Sequence, residues 1–109
     1  MTPAALRRWC LHFDEAIETF PFSPGVSVFR NSRTSKVFAI TTLDATPLDV
    51  TVKADPDESE ALRATYTSIV PGYHTNKRHW ITVTFGGDAD DALVKSLIED
   101  SYSLISSKR

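Results

Sequence analysis

The chain is expected to fold as an α+β two-layer sandwich, an antiparallel sheet with helices on one face, in the order α-β-β-β-α-β-β-α. Three observations predict this. Apolar residues recur at three- and four-residue steps near both ends of the chain, as in amphipathic helices, whereas the middle alternates apolar and polar residues in short runs, as in half-buried strands. Turn-forming clusters separate those runs, so strands joined by hairpins lie between terminal helices. The length of 109 residues, with 41% hydrophobic and 24% charged residues, suits one globular domain spanning 1–109.

Thr2 is a good cap and Pro3 a good first-turn residue, and Leu6, Trp9, Cys10, Phe13 and Ile17 follow at helical steps. The spacing predicts a helix from residue 3 to about 18. Pro21 and Ser23-Pro24-Gly25 end it in a loop. Val26 to Arg30 reads as a strand, Asn31-Ser32-Arg33-Thr34 as a turn and Lys36 to Thr41 as the returning strand, a hairpin with a basic tip. Leu48, Val50 and Val52 alternate with Asp49, Thr51 and Lys53, giving a third strand with one wet face. Pro56-Asp57-Glu58-Ser59-Glu60 puts proline and three acids into the first turn of a short second helix. Residues 69 to 73 are taken as a strand, and Ile81, Val83 and Phe85, alternating with Thr82 and Thr84, as the next. Asp88 offers a cap for a last helix striped by Leu93, Val94, Leu97, Ile98, Tyr102 and Ile105 and ending near Ser107.

Composition narrows function by exclusion. The single cysteine, Cys10, makes no internal disulfide and no multi-thiolate zinc site, which points to a reducing compartment and a buried helix residue. No stretch has signal-peptide or membrane-span character, so a cytoplasmic protein without membrane attachment is expected. The net charge of −2 is not that of a strong polyanion binder. Its distribution is uneven, however. Residues 21–43 and 61–87 hold six cations and no acid, leaving −8 for the remainder.

One segment concentrates binding chemistry: Tyr73-His74-Thr75-Asn76-Lys77-Arg78-His79-Trp80. It resembles the signature of the MmcQ/YjbR family of small bacterial proteins, a Tyr-His-x-Asn-Lys-x-His-Trp run ahead of a strand. The similarity extends to Phe20-Pro21-Phe22, Val37-Phe38-Ala39, Val52-Lys53-Ala54-Asp55-Pro56 and Ser101-Tyr102-x-Leu104, in that order along the chain. The resemblance implies the same α+β sandwich. It also implies a DNA-binding double wing, made here by the basic tip 30–36 and the segment 73–80. Lys77 and Arg78, with Arg30, Arg33 and Lys36, could meet phosphates; Tyr73 or Trp80 could stack; Asn76 could bond a base edge or fix a turn.

Each of these has a plainer reading. A basic hairpin tip also keeps a sheet edge soluble. Trp80 falls opposite the core residues Ile81 and Val83, so it either lies on an exposed binding face or packs under a loop at the strand's start. His74 and His79 are five apart, which suits neither a helical nor a strand face, and zinc would want further ligands; they read as structural histidines or as part of a small pocket with Tyr73 and Trp80. The acids at 55–60 and at Asp88, Asp90 and Asp91 read as helix starts, although the family's fold has been compared with iron-binding frataxin. No cofactor, no metal and no catalytic residue is expected, there being no nucleophile elbow, phosphate loop or dinucleotide fingerprint. The expected partner is DNA, held weakly and salt-dependently by a monomer or homodimer. The alternative is a protein partner, as in the type III secretion chaperones whose topology is similar, or a small ligand near the 73–80 segment.

Overall fold

A computed structural model describes residues 1–72, 76 and 78–106. Helix α1 runs from Pro3 to Leu11, and its first turn is closed by Thr2, whose Oγ1 accepts from the Ala5 N–H at 3.1 Å. Leu6 and Cys10 are fully buried on its inner face. The helix stops at Leu11 instead of continuing to about residue 18. The helical spacing that predicted the longer helix is carried by Phe13 and Ile17, and both do something else. Phe13 packs from the following turn onto Phe38 and Tyr102, at centroid distances of 5.8 and 4.6 Å. Glu15 takes a left-handed conformation, φ 65°, which no helix continues. Ala16–Thr19 then forms strand β1, where the β-branched Ile17 and Thr19 are at home.

The order is therefore α-β-β-β-β-α-β-β-α, with one strand more than expected. The remaining elements are β2 (Ser27–Asn31), β3 (Val37–Thr41), β4 (Asp49–Lys53), α2 (Pro56–Thr65), β5 (Ile69–Pro71), β6 (Trp80–Thr84) and α3 (Asp91–Ser106). The six strands make one sheet in the order β1-β2-β3-β4-β6-β5, with every neighbouring pair antiparallel. Asp55 caps α2 by accepting from the N–H groups of Asp57 and Glu58. Asp90, not Asp88, caps α3, accepting from the Leu93 N–H at 2.9 Å.

One face of the sheet carries the core. Phe29, Val50, Val52, Ile81 and Val83 are buried there beneath Val94, Leu97, Ile98 and Ile105 of α3. A register shift between Phe29 and Arg30 leaves Phe38 as an extra residue between the pairs Phe29–Ala39 and Arg30–Val37, so two consecutive residues, Phe38 and Ala39, enter the core where alternation would admit one. Ser101, fully buried on α3, ties helix to sheet: its hydroxyl donates to the Phe38 carbonyl at 2.7 Å and accepts from the Lys53 N–H at 2.9 Å. Tyr102 beside it donates to the Asp14 carbonyl and holds the turn after α1.

Candidate functional site

Strand register decides where the basic segments lie. Strand β2 rises to Asn31 and β3 leaves from Val37, while β4 ends at Lys53 opposite Trp80, the first residue of β6. Since β5 also rises toward Pro71 beside Ile81, the β2–β3 and β5–β6 hairpin ends emerge from the same edge of the sheet. Only β4 separates β3 from β6, so the two hairpins stand roughly 10 Å apart, two interstrand spacings. Lys53 lies between them. By alternation with Val52 and Ile81 of the core, Lys53 and Trp80 project from the face of the sheet that carries no helix among the described residues.

The expected contact residues divide by what already holds them. Arg30 lies along the uncovered face, its Nε donating to Thr19 Oγ1 at 3.1 Å and its guanidinium to the Ser35 carbonyl at 3.2 Å. Arg33 pairs with Glu15 at 3.1 Å and donates to the Ser106 carbonyl. Lys36 and Arg78 are exposed. Asn76 fixes a turn: its Oδ1 accepts from the Arg78 N–H at 3.0 Å and its carbonyl from the His79 N–H at 3.0 Å. His79 and Trp80 are half-buried. Tyr73, His74 and Lys77 lie outside the described residues.

Asn31, read from the sequence as a turn residue, is the organiser of the first hairpin. It is fully buried; its Oδ1 accepts from the Arg33 and Thr34 N–H groups, and its Nδ2 donates to the hydroxyls of Tyr102 and Ser106 on α3. These partners are distant in sequence, which is why a local reading missed them. Asp88 was similarly hidden. Its carboxylate accepts from the backbone N–H and hydroxyl of both Thr67 and Ser68, tying the start of β5 to the loop before α3. Those hydrogen bonds, led by the Ser68 hydroxyl, hold its carboxyl well below the usual range. At Gly87 an added Cβ would meet Ser68 Cβ at 2.6 Å, so glycine lets this loop close.

A second concave feature occupies the other end of the uncovered face. It is a trough of about 830 Å³ across β3, β4, β6 and β5. Phe22, Val26, Ile40, Val70 and Pro71 give it apolar walls, and threonines at positions 41, 42, 51, 82 and 84 line the rest. The hydroxyls of Thr51 and Thr82 are 2.7 Å apart on its floor. Asp49 is the one charged residue among the described lining, and desolvation raises its carboxyl pKa. Phe22, from the loop before β2, is 70% exposed at the rim. Cys10, by contrast, is sealed in the core, and burial pushes its thiol up to about 12, so it is unreactive. Among the described residues no three His, Cys, Asp or Glu side chains converge, and no helix is long and apolar enough to cross a membrane.

Residues 11–104 match the YjbR family, which covers most of the chain. The chain belongs to the YjbR family. The uncharacterised protein YbdF of Escherichia coli O157:H7 is 39% identical over 87 residues, covering 79% of this chain and 69% of that protein. The uncharacterised protein YjbR of Escherichia coli K12 is 36% identical over 53 residues, 49% of this chain and 45% of its own length, so the chain spans less than half of that relative. Among solved structures, protein DR2400 of Deinococcus radiodurans superposes with a TM-score of 0.91 at 38% identity, over 98% of this chain and 80% of that one. A Pseudomonas syringae protein superposes with a TM-score of 0.83 at 27% identity, over 96% of this chain and 99% of its own. The α+β fold of this YjbR-family chain is thus shared with its structural neighbours.

Proposed function

We propose that this YjbR-family domain binds the phosphate backbone of DNA through the sheet edge that carries its two hairpins, without catalytic chemistry. The observation that supports the reading is the shared edge itself. Lys36, Lys53 and Arg78 stand along it with Trp80 beside them, across a span of roughly 10 Å that compares with the about 6–12 Å widths of the DNA grooves. Asn76 serves the interface indirectly by shaping the loop that presents Arg78. Arg33 adds a contact at small cost, because an exposed pair such as Arg33–Glu15 is worth only about 0–1 kcal/mol and yields easily to a phosphate. Arg30 contributes chiefly by stiffening the first hairpin. Tyr73 and Lys77, on the same loop in sequence, belong to the proposal as sequence-derived partners.

Two exposed cations, Lys36 and Arg78, with the half-buried Lys53 make a weak binder, and the overall charge of −2 makes it weaker. The test is fluorescence anisotropy of a labelled mixed-sequence duplex across a range of salt. Neutralising about three phosphates gives a slope of log K against log salt near −2.7, roughly. The variant Lys36→Glu, Lys53→Glu, Arg78→Glu should abolish binding while keeping the wild-type fold. Absence of binding at low salt, or equal binding by the triple variant, would overturn the assignment.

A further inference from the structure

We propose that the trough on the uncovered sheet face is a binding site for a small apolar molecule carrying one cationic nitrogen, with Asp49 as the counter-charge. Its size is that of a ligand site: about 830 Å³ falls within the roughly 300–1,000 Å³ typical of small-molecule pockets. Its lining has the same division of labour, apolar walls from Ile40, Val70 and Phe22 with a few polar groups fixed on strands. The sign of the ligand's charge follows from Asp49. Its side chain projects from the uncovered face because Val50 and Val52 beside it fill the core. Among the described residues no cation lines the trough and no side chain donates to the Asp49 carboxylate. A half-desolvated carboxylate without a partner is costly, and an incoming ammonium both satisfies it and buries its own apolar body on the walls. An anionic amphiphile would face that carboxylate directly. The site is independent of the hairpin edge, where the charge is of the opposite sign.

The experiment is a titration of the 15N-labelled protein with decylammonium and, separately, decanoate, both kept below their micellar concentrations. Decylammonium should saturate and shift the amides of Thr51, Val70 and Thr82; decanoate should bind at least about tenfold more weakly, the weight of one charge-assisted hydrogen bond in a partly open site. Asp49→Asn should weaken decylammonium by a similar factor and leave decanoate no worse. Phe22→Ser, at an exposed rim position where folding is not at stake, should weaken decylammonium several-fold. Equal affinity for the two chains would mark a charge-blind apolar surface of the kind a protein segment uses, and would overturn the proposal. So would shifts confined to the helical face, no binding of decylammonium, or unchanged affinity in both variants.

Discussion

The two faces of this sheet are built from alternate residues of the same strands, yet they are finished in opposite ways. On the helical face Phe29, Phe38, Val52 and Ile81 are fully or almost fully buried, and of the polar groups admitted on that side Asn31 and Ser101 each have partners for both donor and acceptor, whereas the buried Ser59 hydroxyl of α2 has no hydrogen-bond partner among the described residues. The uncovered face keeps Phe22, Ile17 and Val70 in contact with solvent and leaves a carboxylate in an apolar trough. The difference is one of purpose. Apolar contacts and hydrogen-bonded polar groups on the first face stabilise the fold, whereas exposed apolar groups and a charge without a partner among the described residues on the second contribute little to stability and are available to something else.

The largest losses are expected in the core. Phe38→Ala removes a fully buried ring that touches Phe13, Phe29 and Tyr102, and should cost about 3–5 kcal/mol in urea unfolding. Ser101→Ala removes the hydroxyl that bridges β3 and β4, leaving the Lys53 N–H without that acceptor, for a loss of about 1–3 kcal/mol. Across the sheet the effects should shrink. Phe22→Ser should change stability by less than about 0.5 kcal/mol, as exposed positions generally do.

Asp49→Asn sharpens the contrast through pH. Desolvation raises the Asp49 pKa in the folded state, so folding favours the protonated form. The penalty is absent at acid pH, grows as pH rises from the ordinary carboxylate range through the raised value, and is complete above it. The asparagine variant should therefore match the parent near pH 3, roughly below the ordinary value of about 3.9, and equal or exceed it in unfolding midpoint at neutral pH. A variant less stable than the parent at neutral pH would show that the carboxylate stabilises the fold. Asp88 runs the other way: its hydrogen bonds depress the pKa, so its contribution is present above the ordinary carboxylate value and is lost as pH falls toward the depressed one.

Much of this architecture was legible in the sequence because it rests on local period. Val50-Thr51-Val52 and Ile81-Thr82-Val83 announce both their strands and their buried sides. What was illegible depends on partners far along the chain. Strand β1 was hidden because Phe13 and Ile17 keep a helical step, and only pairing with β2 reveals the strand. Asn31 is an ordinary turn residue until α3 brings Tyr102 and Ser106 to it. The hairpin cations were visible by composition, and their shared edge follows only from the strand order. The trough had no sequence mark, since residues of four strands, with Phe22, Val26 and Thr42 from the segments around them, compose it.

The most direct test of the hairpin edge is a 15N NMR titration of the protein with a short duplex at low salt. Shifts should concentrate at Lys36, Lys53, Asn76, Arg78 and Trp80 and fade as salt is raised, with the amides of α1 and α3 unmoved. Shifts spread over the helical face, or none at the two hairpin ends, would contradict the division between a face that folds the chain and an edge that binds.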